Sequence, residues 1–343
     1  MAASMAEPRS TGRSAHLGYL PTPTTRLERL FPEARVELHA KLDLLQLSGS
    51  TKERTATFLL KGLVDSGGLE PGGTVIESTS GNLGMALARQ CAVDGYNFVA
   101  VVDERANVAA CRVMEAYGAE IVNVATPEDG NRLRARIERV ADLLEERSGA
   151  VTTNQYGNED NPRAHHDSTL PELVDSLGGR APDHLYVAMS TTGTLLGCQR
   201  AIDEHGWATR LVGVDSVGSV LFGGEPGERR LPGLGAGIVP RLSELASPDA
   251  VARVDEADMV RGARLLARRE GILAGASTGA IVAAIGSDLD RFHNDEVVAM
   301  LVHDGGTAYL PTLYNDDWVR GEIDAAERAL EVPSRPNPFA RHG

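Results

Sequence analysis

The sequence predicts an α/β fold built from two doubly wound domains with mainly parallel sheets. Two observations carry this expectation. From Val36 onward, short continuous apolar runs alternate with longer helix-patterned stretches. A strand without polar alternation is buried on both faces, and that burial requires helices on both sides of a parallel sheet. In addition, glycine- and hydroxyl-rich turns stand where an apolar run gives way to a helix, as in Ser78-Thr79-Ser80-Gly81 and Ser190-Thr191-Thr192-Gly193.

The elements follow in order. Thr74-Val75-Ile76 precedes a helix through Met85, Leu87 and Ala88, and Phe98-Val99-Ala100-Val101-Val102 precedes one through Val108, Cys111 and Met114. Ile121-Val122-Asn123-Val124 leads to the charged amphipathic stretch Arg132 to Glu146. The alternation resumes at Leu185-Tyr186-Val187, Leu211-Val212-Gly213-Val214 and Val297-Val298-Ala299-Met300-Leu301. The polar stretch Thr152 to His166 marks the crossing between the two units. The domains expected are a smaller, mobile one over 46–154 and a larger one from 18–45 with 155–330, leaving 1–17 and 331–343 as flexible termini. The loop Gly218 to Pro240 is long for a compact domain, and loops of that length are usually functional.

Composition narrows the class. The 343 residues are 42% apolar, enough for a sizeable core, and 34 Lys and Arg face 48 Asp and Glu for a net charge of -14. Such a surface repels phosphate backbones and anionic head groups, which argues against nucleic acid or membrane as partner. No stretch approaches the ~20 apolar residues of a membrane span, and Met1 to Leu17 lacks the apolar segment of a signal peptide. Cys91, Cys111 and Cys198 stand far apart, with no CxxC pair and no histidine cluster, so no metal site is predicted and a reduced, cytoplasmic setting is expected.

Chemistry is suggested by three turns that each enter a helix: Ser78-Thr79-Ser80-Gly81-Asn82, Ser190-Thr191-Thr192-Gly193-Thr194 and Gly275-Ala276-Ser277-Thr278-Gly279. Backbone amides at a helix N-terminus form an anion site, although serine and glycine also serve as plain caps. Upstream, Ser48-Gly49-Ser50-Thr51-Lys52-Glu53-Arg54 opens another amphipathic helix. A lysine there sits near positive partial charge, which disfavours its protonated form and suits an amine that must attack a carbonyl.

Those four segments, in that order, resemble the cysteine synthase and cystathionine β-synthase family of fold-type II pyridoxal-phosphate enzymes, over about Leu20 to Trp318. The resemblance implies a tryptophan-synthase-β-like architecture with the larger domain anchoring pyridoxal 5'-phosphate, and a homodimer. It implies that Lys52 carries the cofactor as a Schiff base and later moves the Cα proton. It further implies that Asn82 meets the ring hydroxyl, that Ser190 binds the cofactor beside Thr191, Thr192, Gly193 and Thr194, which cradle its phosphate, and that Ser277 faces the pyridine nitrogen. Ser78, Thr79 and Ser80, with Gln155, would hold the substrate α-carboxylate.

Two departures point to a subgroup. Ser190-Thr191-Thr192-Gly193-Thr194 stands where cysteine synthases usually have Gly-Thr-Gly-Gly-Thr, and Gln155-Tyr156 where they usually have Gln-Phe. Both add a hydroxyl, which suits a partner more polar than sulfide. These stretches, together with Gly218-Ser219-Val220-Leu221-Phe222-Gly223 and Arg230-Leu231-Pro232-Gly233-Leu234-Gly235, resemble the N-(2-amino-2-carboxyethyl)-L-glutamate synthase subgroup. That resemblance implies β-replacement of O-phospho-L-serine by L-glutamate, through an aminoacrylate, toward 2,3-diaminopropionate for a siderophore or peptide antibiotic. It also implies a substrate arginine on the helix after the third strand of the first unit: Arg136 matches best, with Arg132 and Arg134 close by. A cysteine synthase using sulfide, a serine or threonine dehydratase and a non-catalytic binding module are the rival readings. Retention of Lys52 argues against the last.

Overall fold

The structure, a computed structural model, describes residues 18–127, 132–332 and 337–339. In chain order its strands are β1 (Thr24–Arg26), β2 (Glu37–Lys41), β3 (Thr74–Ser78), β4 (Asn97–Asp103), β5 (Glu120–Val124), β6 (His184–Ala188), β7 (Arg210–Ser216), β8 (Ala250–Val254) and β9 (Val297–Leu301). The helices that matter below are α1 (Lys52–Asp65), α2 (Asn82–Asp94), α3 (Val108–Ala116), α4 (Arg132–Glu146), α5 (Asp160–Ala164), α6 (Leu170–Ser176), α7 (Gly193–His205), α8 (Glu256–Glu270) and α9 (Ala276–Asp288).

The strands form two sheets. One has three strands in the order β3-β4-β5, and the other six in the order β1-β2-β9-β6-β7-β8. Every pairing is parallel except that of β1 with β2, at the edge of the larger sheet. The expected mainly parallel α/β architecture is therefore what the chain adopts.

Alternate side chains of each strand point to opposite faces, and here both faces are apolar. In the larger sheet Tyr186, Val212, Val214, Val298 and Met300 pack with Val260, Leu265 and Ile281 of α8 and α9. Leu185, Val187, Leu211, Ala299 and Leu301 face the other way, onto Leu173 of α6 and Leu195, Cys198 and Ile202 of α7. The smaller sheet divides likewise. Val75, Phe98, Ala100 and Val102 meet Leu59, Leu87 and Met114 of α1, α2 and α3, whereas Ile76, Val99 and Val101 meet Val140 and Leu143 of α4. This two-sided burial is why the strands read as unbroken apolar runs.

The stretch expected as a crossing leaves the small sheet at Val151, which bridges to Val75. It then enters α5, a π-helical turn over His165–Thr169 and α6, a continuous rod that packs on α1 and α7. The tail departs from expectation. Phe339 is buried, and Arg261 donates to the carbonyls of Glu331 at 2.8 Å and Pro338 at 2.9 Å, so residues 331–332 and 337–339 are held on α8 instead of fraying. Residues 1–17, expected to be flexible, lie outside the described residues.

Candidate active site

Lys52 begins α1, and the turn before it is tied to the end of β9. The Thr51 amide donates to the His303 carbonyl at 2.7 Å, and the Gly305 amide donates to the Gly49 carbonyl at 3.1 Å. Gly49 takes φ +79, a left-handed conformation that glycine adopts without penalty. The two residues after the lysine are occupied elsewhere. Glu53 pairs with Arg89 at 2.6 Å and accepts from the Ser48 amide at 2.8 Å. Arg54, fully buried, donates to both Asp43 oxygens at 3.0 Å and both Glu172 oxygens at 2.7 Å. Lys41 adds a bond to Glu172 at 2.8 Å. Glu53 and Arg54 thus lock the start of α1 between the sheets' neighbouring elements and leave Lys52 facing a cavity. Burial draws its amine down to about 8.

That cavity, about 450 Å³ and partly open to solvent, is lined by Lys52, Asn82, Ser277, His303, Asp304 and the whole Ser190–Thr194 turn. These segments are far apart in sequence. They meet because each follows the carboxyl end of a strand or opens a helix, which is where α/β sheets bind ligands. His303 stays neutral: burial pulls it down to about 4, and its Nε2 accepts from the Ala188 amide at 3.1 Å.

The Ser190–Thr194 turn is built for an anion. The first amides of α7 have no intrahelical acceptor and carry the positive end of the helix dipole. Thr192 sits at φ +63, a strained position for a β-branched residue and of the kind that clusters at ligand clamps. Its neighbour must be glycine, since a Cβ at Gly193 would lie 2.1 Å from Asn161 Oδ1. Asn161 in turn donates to the Gln155 carbonyl at 2.8 Å and to Thr191 Oγ1 at 3.1 Å. Thr194 Oγ1 is 3.1 Å from His165 Nε2, whose Nδ1 meets Thr169 Oγ1 at 2.9 Å on the π-helical turn.

Across the cavity, Asp304 gathers the polar groups. Asn82 Nδ2 and the Tyr309 hydroxyl donate to its Oδ2 at 2.8 Å, and Ser277 Oγ lies 3.5 Å from Oδ1. Burial holds this carboxyl above the usual carboxylate range. The donor set fits pyridoxal phosphate: a buried amine for the aldehyde, a helix N-terminus for the phosphate, an amide and a hydroxyl for the ring.

A second, wider cleft meets the first at Gly233 and is lined by Ser80, Arg132, Arg136, Tyr156 and the loop from Glu228 to Ile238. Arg136 Nη1 donates to Ser80 Oγ at 3.3 Å, and its Nε lies 3.3 Å from Asp103. Arg132 and Arg136, one turn apart, share a helix face. Arg134 points away and pairs with Glu138 at 3.4 Å.

The other expected substrate residues divide. Tyr156 lines the wider cleft, whereas Ser78, Thr79 and Gln155 are buried and line neither. Thr79 Oγ1 accepts from the Gly84 amide at 3.0 Å, and the Ser78 hydroxyl has no partner among the described residues.

Glu77 shapes the approach to Tyr156. Its buried carboxyl, held above the usual range by that burial, accepts from the Thr153 hydroxyl, from Thr152 at 3.3 Å and from the Asn154 amide at 3.1 Å. Asn154 thereby turns at φ +48 just before Gln155. Sequence reasoning missed the roles of Asp304, Asn161 and His165. For Asp304 a signal existed, because it follows the last apolar strand at its carboxyl end. Asn161 and His165 carried none, since they lie in a polar stretch read only as a crossing.

Residues 15–304 match the family model described as pyridoxal-phosphate dependent enzyme. The chain is 40% identical over 322 residues to an N-(2-amino-2-carboxyethyl)-L-glutamate synthase of Ralstonia nicotianae, covering 91% of this chain and 95% of that one. It is 40% identical over 302 residues to the protein of that name from Cupriavidus metallidurans, covering 87% and 88%. Among solved structures, an O-acetylserine dependent cystathionine β-synthase from Helicobacter pylori superposes with a TM-score of 0.79 at 29% identity, covering 85% of this chain and 94% of that one. An O-ureido-L-serine synthase superposes with 0.78 at 31% identity, covering 89% and 97%. The fold is that of the fold-type II enzymes, and the chain belongs to the pyridoxal-phosphate dependent enzyme family, as a β-replacement enzyme with pyridoxal 5'-phosphate as its cofactor.

Proposed function

We propose that the chain joins O-phospho-L-serine and L-glutamate to give N-(2-amino-2-carboxyethyl)-L-glutamate and phosphate, supplying 2,3-diaminopropionate for a siderophore or peptide antibiotic. The observation that carries this reading is the arginine-lined cleft beside Ser80 and Tyr156, which opens into the Lys52 cavity at Gly233. Its lining carries five arginines against Asp103, Glu228 and Glu322, so on a chain of net charge -14 that cleft is a local reversal of sign. It suits two anionic amino acids better than sulfide. The names of the two bacterial relatives agree with it.

Bound pyridoxal phosphate supplies an electron sink that acidifies the Cα proton of an attached amino acid and lets its β-substituent leave. The chain's own residues do the rest. Lys52, drawn down to about 8 by burial, takes the Cα proton as a neutral amine and returns it after the second substrate has added. Asn82, Ser277 and the Ser190–Thr194 turn hold the cofactor. Ser277 offers a hydroxyl where a carboxylate would fix a full charge on the ring nitrogen, and this favours elimination over a long-lived carbanion. The α-carboxylate is assigned to Ser78, Thr79, Ser80 and Gln155, of which Ser80 lines the wider cleft and the other three are buried, the Ser78 hydroxyl having no partner among the described residues. Arg136 grips the phosphate leaving group through its fork of donors. Residues 46–154 close over the substrates as a smaller domain. The enzyme acts as a homodimer in the cytoplasm, and no helix among the described residues is long and apolar enough to cross a membrane.

Mass spectrometry of products from O-phosphoserine offered separately with glutamate, sulfide and water tests the reading. A glutamate adduct is expected. S-containing product in preference, from O-phosphoserine or O-acetylserine, would make the chain a cysteine synthase, and pyruvate alone would make it a dehydratase.

A further inference from the structure

We propose that Arg229 binds a carboxylate of the incoming amino-acid nucleophile and so selects it over smaller nucleophiles. This rests on the reading that the nucleophile is glutamate. Arg229 belongs to the long loop between β7 and β8, and its backbone surroundings are fixed. The amides of Arg230 and Leu231 donate to Glu256 at 2.5 and 2.6 Å, the Gly227 amide donates to the Gly218 carbonyl at 3.1 Å, and the Gly235 amide donates to the Met189 carbonyl at 2.7 Å. The side chain folds back over two glycines. A Cβ at Gly235 would lie 2.7 Å from its Nη1 and one at Gly237 3.4 Å from its Nη2, so the loop leaves room for a guanidinium and little else.

This guanidinium is under-used. Its Nη1 donates to the Leu234 carbonyl at 3.2 Å, its Nε is buried without a partner, and no carboxylate lies within 4 Å of it among the described residues. The neighbouring cations differ: Arg230 reaches Glu228 at 3.6 Å and Glu256 at 3.9 Å, and Arg136 sits between Asp103 and Ser80. A half-buried guanidinium with a single neutral acceptor has donors to spare. It also stands in a cleft that opens toward Lys52. The fields of Arg136 and Arg229 both reach the Tyr156 phenol, so the two cations flank that residue in the shared cleft. Arg105 and Arg132 line the same cleft, but with Arg136 assigned to the first substrate, Arg229 is the other cleft arginine with a buried donor that has no partner among the described residues. Hydrosulfide or water needs no such partner. A dicarboxylic amino acid must lose water from its carboxylates on entry, and a planar fork replaces that hydration with paired, charge-assisted bonds.

The test compares Arg229→Gln and Arg229→Lys with the wild-type holoenzyme, with folding checked by thermal midpoint. KM is measured for glutamate and for hydrosulfide with O-phosphoserine fixed. The cofactor absorbance change on adding O-phosphoserine alone is titrated separately. Arg229→Gln is expected to raise the glutamate KM about tenfold or more, as loss of a charge-assisted bond would. That rise should exceed any change in hydrosulfide KM by about the same factor, and Arg229→Lys should recover part of it. The O-phosphoserine titration should keep its wild-type midpoint. An unchanged glutamate KM, an equal change for both nucleophiles, or a shifted O-phosphoserine midpoint would each overturn the inference while leaving the proposed reaction standing. A wild-type enzyme inert to glutamate would remove the reaction itself and the inference with it.

Discussion

Arg54→Met is the most informative perturbation of the frame that presents Lys52. The substitution removes four charged hydrogen bonds and leaves Asp43, fully buried, with the Thr22 hydroxyl at 2.6 Å and the nearby Lys41 ammonium. Methionine keeps the length and most of the volume, so little of the cost comes from a cavity. Removing one partner of a buried ion pair costs ~3–5 kcal/mol, because the remaining charge is left desolvated. At a urea slope of ~3 kcal/mol per M, the unfolding midpoint falls by about 1 M or more. The pH dependence gives an independent check. Burial alone would raise the Asp43 carboxyl, but the field and hydrogen bonds of Arg54 overcome it and hold the group at about 2. A carboxyl depressed on folding contributes stability that is present above its unfolded value near ~4 and lost as pH falls toward ~2, here worth about 2 kcal/mol. The variant should lose less stability than wild type across that window. The double variant Asp43→Asn with Arg54→Met keeps Lys41 paired with Glu172 and should regain much of the loss. A single variant that costs under about 1 kcal/mol, or a double variant no better than the single, would refute the claim that this network holds the lysine turn.

Three other outcomes follow from the site. The rate at which apoenzyme captures pyridoxal phosphate should rise with pH and level off near 8, since only the neutral Lys52 amine attacks and burial has lowered its protonation to about 8. Capture still rising at pH ~10, as for an ordinary lysine, would contradict this. Gly193→Ala would set a Cβ 2.1 Å from Asn161 Oδ1, and equilibrium titration should show cofactor affinity reduced by about tenfold or more, of the order expected for overpacking; wild-type affinity would mean the turn does not hold the phosphate. Glu77→Ala frees the turn before Gln155 and Tyr156, so the KM for O-phosphoserine should rise while cofactor affinity holds; the reverse pattern would place Glu77 in the cofactor site.

Much of the fold was legible because parallel strands covered on both faces leave unbroken apolar runs. The strands that escaped notice lack that signature. β1 has three residues and no buried side chain, and β8, at the sheet edge, has three half-buried residues and an exposed Arg253 before its one buried residue, Val254. The stretch Thr152 to His166 was read as a polar crossing, yet from Asp160 onward it is helical. Its side chains Asn161 and His165 are buried against the Ser190–Thr194 turn, which composition alone cannot distinguish from exposure. Lys52 and the Ser190–Thr194 turn were visible through their motifs. The lowered amine was foreseen from the helix terminus and a desolvated cleft, and burial is the cause the structure shows. Asp304 and Arg229 depend on neighbours distant in sequence, so their roles became readable only once β9 and the long loop were placed.

The central claim is that these distant segments converge to make Lys52 the attachment point of the cofactor. Borohydride reduction of purified holoenzyme, followed by peptide mapping, tests it most directly. The label should appear on Lys52 as a single modified peptide. A label on Lys41 or Lys61, or protein that takes up no pyridoxal phosphate, would contradict the account.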